Sequence, residues 1–131
     1  MNYLGLDWGK NKIGVAIGSS ETRTAAPLEI IRFKNIEQVF ARLAQIISEE
    51  NIGTIIIGAP TKKELSLDLK NFIGELSARF SMPVNIIDEK VTTKMASGLL
   101  GKTKKNEDSV AAMIILQNFI DREQYGRNRE N

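Results

Sequence analysis

Neither cysteine nor histidine occurs anywhere in the 131 residues. The first absence excludes disulfides, zinc–thiolate sites and cysteine nucleophiles. The second excludes Ser-His-Asp triads, imidazole general bases and imidazole metal ligands. A catalytic metal must therefore be bound by oxygen, and oxygen ligands select magnesium, manganese or calcium. Any catalysis falls to carboxylates, lysines or hydroxyls. No apolar run approaches the roughly 18 residues of a membrane helix. The opening Met1-Asn2-Tyr3-Leu4-Gly5-Leu6-Asp7 lacks a basic segment leading into an apolar one. The expectation is no signal peptide, no membrane and a cytoplasmic location. Aromatics are few (Tyr3, Trp8, Phe33, Phe40, Phe72, Phe80, Phe119, Tyr125), and most fall at core positions. No base-stacking platform stands out.

What is present is ordinary in its averages. Hydrophobic residues make up 42% and charged residues 26%, close to the globular mean. The length is that of one domain, and residues 1–131 are expected to form one, with a frayed tail from about residue 122. The net charge is only +2, but its distribution is uneven. Lys90, Lys94, Lys102, Lys104 and Lys105 lie in a stretch with no acidic residue, which suits either a solvated loop or a phosphate-binding surface.

Periodicity gives the element order. Tyr3 to Leu6 reads as a buried strand ending near Asp7, Trp8 to Asn11 as a turn, and Ile13 to Gly18 as an antiparallel partner. Pro27 to Ile31 reads as a third, shorter strand. Ile36, Val39, Phe40, Leu43, Ile46 and Ile47 fall at helical spacing. Ile55-Ile56-Ile57-Gly58 is a β-branched run suited to burial on both faces. Leu65 to Phe80 is again helical, Val84 to Ile87 a fifth strand, and Thr92 to Leu100 a short helix. Asp108 or Ser109 is expected to cap a last, largely apolar helix. The pattern predicts an α/β fold with a five-stranded mixed sheet and helices on both faces.

Ligands of such sheets bind outside the carboxyl ends of the parallel strands. Asp7, Asp88-Glu89 and Asp108 all fall at element ends where they could meet. Each has a bland explanation, as a turn residue or helix cap. Their joint placement in a chain without histidine suggests an oxygen-only site for one or two Mg²⁺ or Mn²⁺ ions. Two ions suit phosphodiester cleavage, and lysines nearby suit the flanking phosphates. A strand alternates its faces, so only one of Asp88 and Glu89 belongs to that site.

Leu4 to Ala16, Ala26-Pro27-Leu28, Ile57-Gly58-Ala59-Pro60, Asp88 to Thr93 and Asp108 to Ala112 resemble, in order and spacing, the blocks of the YqgF (RuvX) family. The resemblance implies a ribonuclease H-like fold related to Holliday-junction resolvases, and a metal-dependent nuclease trimming the 5′ end of precursor 16S ribosomal RNA. It implies Asp7, Glu89 and Asp108 as catalytic metal ligands, with water as nucleophile. Lys12 and Lys90 stand where the family usually has arginine, keeping charge while losing a planar fork. Lys12, Lys90, Thr92, Thr93, Lys102, Lys104 and Lys105 are the expected nucleic-acid contacts, although Thr92 and Thr93 serve equally as helix caps. Thr61-Lys62-Lys63-Glu64-Leu65-Ser66 replaces the family's glycine-containing loop, which bears on substrate shape and activity.

Three other functions compete. One is a junction-resolving DNA endonuclease acting as a homodimer on branched DNA. Another is a non-catalytic module binding RNA or a ribosomal subunit. The third is a phosphate-loop ATP binder, disfavoured because such proteins use two domains and a second phosphate loop. Monomer and homodimer both remain open.

Overall fold

The computed structural model describes residues 1–9, 11–59, 65–88 and 107–130, with the backbone alone at 88, 107, 108 and 124–130. Strand β1 (Asn2–Trp8) pairs antiparallel with β2 (Lys12–Ser19), Leu6 facing Val15 and Asp7 facing Gly14. β3 (Thr24–Arg32) continues the meander antiparallel to β2. It has nine residues and is no shorter than its neighbours, contrary to expectation. Pairing passes Pro27 because the register shifts there: Val15 faces Glu29 and Ala16 faces Pro27, leaving Leu28 as the extra residue. Such a bulge, on an edge strand, is where a residue without an N–H is tolerated.

Helix α1 (Ile36–Glu49) starts with a capping box. The Asn35 side chain accepts from the Glu37 amide at 2.9 Å, and Gln38 Oε1 accepts from the Asn35 amide at 3.2 Å. Val39, Phe40, Leu43 and Ile46 form its buried stripe. Asn51 takes a left-handed φ of 51° to turn the chain into β4 (Ile52–Ala59), parallel to β1. Ser66 caps α2 (Leu67–Phe80) by accepting from the Leu69 amide at 3.1 Å. A left-handed Ser81 then closes this helix. β5 (Val84–Asp88) lies parallel to β4, and α3 (Glu107–Glu130) completes the described chain. α3 already includes Glu107, so Asp108 and Ser109 are first-turn residues and not the cap expected of them. Its bounds also take in residues 122–130, read from the sequence as a tail.

The strand order is β3-β2-β1-β4-β5, which confirms the mixed sheet. Two apolar clusters sandwich it. Leu4, Leu6, Val15, Ile55 and Ile57 join α1 and α2 on one face. Tyr3, Ala16, Ile56 and Ile87 join α3 on the other. Ile55, Ile56 and Ile57 alternate between the clusters and are all fully buried, as the continuous run predicts. Ion pairs reinforce the first face. Arg42 of α1 donates to both carboxylate oxygens of Glu29 on β3, at 2.9 and 2.5 Å. Arg79 of α2 does the same to Glu37 of α1, at 2.9 and 2.7 Å, while its guanidinium lies 4.1 Å from the centre of the Phe40 ring.

Candidate active site

The site builds from the end of β1. Tyr3 and the α-carbon of Gly5 face α3, whereas Leu4, Leu6 and Trp8 face α1 and α2. The period of two puts Asp7 on the α3 side, half-buried. Its register neighbours are Gly14 on β2 and Gly58 on β4. A carboxylate thus ends a buried strand with a residue lacking a side chain on either flank.

The floor beneath α3 includes small residues at which the helix comes close. A Cβ on Gly5 would meet Leu116 Cβ at 2.9 Å and the Ala112 carbonyl at 3.1 Å. One on Gly18, which faces Tyr3, would meet Ile120 Cδ1 at 3.0 Å and Leu116 Cδ2 at 3.1 Å. These contacts orient the helix. Going back from Ile120 through Leu116 to Ala112, α3 advances along β1 from the level of Tyr3 to that of Gly5. One further turn, about 5.4 Å, carries its first residues toward the level of Asp7. Asp108 lies in that first turn, where the helix dipole favours negative charge. α3 therefore directs its N-terminal end toward the edge where β1, β4 and β5 present their carboxyl ends.

Lys12 begins β2 at the same edge and faces Arg32, the last residue of β3. Of the residues singled out in the sequence, Asp7 lies at the end of β1 and Lys12 begins β2 at one edge of the sheet, and the backbone of Asp108 lies in the first turn of α3. Glu89, Lys90, Thr92, Thr93, Lys102, Lys104 and Lys105 lie outside the described residues, as do Thr61 to Glu64 of the altered loop. Among the described residues, no three acidic, histidine or cysteine side chains gather to hold a metal ion. Ile86 packs with the α1–α2 cluster and Ile87 with the α3 cluster, and Ile87 is in register with Gly58. The α3 phase of β5 is thus the odd-numbered one.

Sequence reasoning passed over two cations here. Arg32 and Lys34 flank Phe33 where β3 leaves the sheet, and both are exposed. Among the described residues neither forms an ion pair. The Arg32-Phe33-Lys34 triplet, a basic–aromatic–basic alternation, was the available signal. The Phe33 amide donates to the Asn11 carbonyl at 3.1 Å, which fixes the triplet to the β1–β2 connection.

The family described as RuvX, Holliday junction resolvase, matches residues 1–122. A protein of Bordetella parapertussis named "Putative pre-16S rRNA nuclease" is 36% identical over 123 residues, covering 90% of this chain and 92% of that one. One of the same name from Oenococcus oeni is 36% identical over 137 residues, covering 93% and 95%. Among solved structures, Thermus thermophilus RuvC in complex with a Holliday junction substrate superposes with a TM-score of 0.59 at 15% identity, covering 95% and 96%. The fowlpox virus Holliday junction resolvase gives 0.60 at 12%, covering 92% and 99%. At such identities these two likenesses show the shared fold alone. Among the described residues, no helix is long and apolar enough to cross a membrane.

Proposed function

The chain belongs to the RuvX family of nucleases, and from that premise we propose that it is a divalent-metal-dependent hydrolase of phosphodiester bonds whose substrate is the 5′ leader of precursor 16S ribosomal RNA. The observation that carries the reading is Asp7, held at the carboxyl end of β1 between Gly14 and Gly58, with α3 starting toward the same edge. The flanking glycines place no side chain beside the carboxylate. The available donors are oxygens only, which fits Mg²⁺ or Mn²⁺. Asp7, Asp108 and Glu89 would hold one or two ions. Glu89 is taken in preference to Asp88 from the family resemblance. Bound there, such an ion supplies Lewis-acid stabilisation of the charge that develops on phosphate oxygens.

The chain's own residues then do the rest. Lys12, with Lys90, Lys102, Lys104 and Lys105, offsets phosphate charge without reading sequence. Thr92 and Thr93 add hydroxyl donors. The relatives named for pre-16S rRNA support the RNA substrate, and the family's resolvase description supports branched DNA as the second reading. A cytoplasmic location and ribosomal-subunit contact accord with the RNA substrate.

The test is cleavage of a precursor 16S leader by pure protein with Mg²⁺, with Mn²⁺ and with chelator, beside a four-way DNA junction and the Asp7→Asn variant. Metal-dependent cutting of the leader, lost in Asp7→Asn by a factor of about 10² or more, is expected. Cutting of the junction alone would transfer the activity to DNA. Binding without cleavage in either metal would replace the nuclease with a binding module.

A further inference from the structure

Beside the end of β1, on the side away from Asp7, a cleft of 280 Å³ opens between the β3–α1 connection and α2. Trp8, Phe33, Ile36 and Phe72 line it, with Asp68, Asn71 and Glu75 exposed at its wall. The Trp8 ring lies against that of the buried Phe72, centroids 4.6 Å apart and tilted by 37°. Trp8 and Phe33 are themselves only partly covered. Phe33 also borders a second, wider groove of 900 Å³ lined by Arg32, Lys34 and Asn11. One aromatic residue therefore separates an aromatic cleft with an acidic wall from a cationic groove.

The two halves differ in what they accept. A phosphate is drawn to Arg32 and Lys34 and repelled by Asp68 and Glu75, so it belongs in the groove. A flat ring with amino or imino donors suits the cleft, since aromatic faces stack it and the Asp68 and Asn71 oxygens accept from its edge. A nucleotide is an object of this kind, a planar base one bond system away from an anion. Base-paired duplex has its bases already stacked on one another, so only an unpaired base can enter.

We propose that Trp8 and Phe33 form a base-binding subsite in which an unpaired nucleobase of the substrate strand stacks, while Arg32 and Lys34 hold the adjoining phosphates. The proposal rests on the chain being a nucleic-acid enzyme. It adds that the strand leaving Asp7 crosses the sheet edge into this cleft, which makes unpaired nucleotides beside the cleaved bond a substrate requirement.

Trp8 is the sole tryptophan and reports on its own surroundings. The full chain, in chelator to prevent cutting, is titrated with a short single-stranded oligoribonucleotide, the same strand fully paired, and an abasic strand. Binding is followed by anisotropy of the labelled nucleic acid and by Trp8 fluorescence. The single strand is expected to quench and shift Trp8 emission, whereas the paired and abasic strands bind without doing so. Phe33→Leu, which keeps apolar bulk and removes the ring, is expected to weaken the single strand roughly 10- to 100-fold and to leave duplex affinity unchanged. Arg32→Ala and Lys34→Ala should each weaken both forms and lower the salt slope by about 1. Single-strand binding that leaves Trp8 emission untouched would overturn the proposal, as would equal quenching by the duplex. Cleavage without quenching would remove the subsite and keep the nuclease. Quenching without cleavage in either metal would do the reverse. Failure to bind any of the three strands would end both.

Discussion

The two faces of the sheet are packed by opposite means. Against α1 and α2 the sheet presents bulk: Leu4, Leu6, Ile13, Ile55 and Ile57, with aromatic rings running from Trp8 through Phe72 to Phe40. Against α3 it sets Gly5, Ala16 and Gly18 among Tyr3, Ile56 and Ile87, and Leu116 and Ile120 of the helix fill the space over the small residues. The first face is a filled core, sensitive to what is removed. The second is a close backbone approach, sensitive to what is added. The difference has a functional side. Glycines that admit α3 continue along the same face to Gly14 and Gly58 beside Asp7, so the small-residue strip that seats the helix also reaches the carboxylate.

This contrast can be broken in order of expected effect. Leu43→Ala on the bulky face opens a cavity in fully buried surroundings and should cost about 2–5 kcal/mol by urea denaturation. On the other face the opposite change is the damaging one. Gly5→Ala places a methyl 2.9 Å from Leu116 Cβ and should cost about 1–3 kcal/mol. Adding Leu116→Ala to that variant should then cost less than Leu116→Ala alone, because the crowding is relieved. A strictly additive double mutant would show that the close approach does not set the packing. Ser66→Ala removes the cap of α2 and should cost about 1 kcal/mol, read from the same denaturation midpoint.

The smallest effect is electrostatic. The Arg42 guanidinium, hydrogen-bonded to Glu29, holds that carboxyl below its ordinary value, against a smaller opposing push from burial. A depressed folded value means that the pair stabilises the protein above the unfolded carboxyl's pKa, and that this contribution disappears as pH falls through the folded one. Solvent reaches both partners, so the expected size is about 0.2–1 kcal/mol. Glu29→Gln should therefore lower the urea midpoint near neutral pH and approach the wild type in acid. A gap that widens in acid would assign the pair the wrong sign.

Much of the architecture could be read directly. The β-branched run at Ile55–Ile57 announced burial on both faces because no polar residue interrupts it. The helical spacing from Ile36 to Ile47 announced α1 for the converse reason. Pro27 misled. Its missing N–H argues for a short strand, and only the bulge at Leu28 in an edge position lets β3 run its nine residues. Asp108 misled more mildly, since a good capping residue also suits the first turn of a helix. Of the site, Asp7 was legible as a residue at an element end and Lys12 through the family resemblance. Arg32 and Lys34 were not read, because their alternation around Phe33 gains weight only when the pairing of β2 with β3 sets Arg32 opposite Lys12.

The sequence alone determined which chemistries this protein could not perform, the order of its elements, and the carboxylate that ends its first strand. Those are local properties of composition, period and spacing. Tertiary structure decided which residues flank that carboxylate, which face Trp8 shares with Phe33, and where α3 aims its first turn. These depend on register, and in a sheet a shift of one residue exchanges the two faces. No count of apolar and polar positions along a single strand fixes the register between strands that helices separate in the chain.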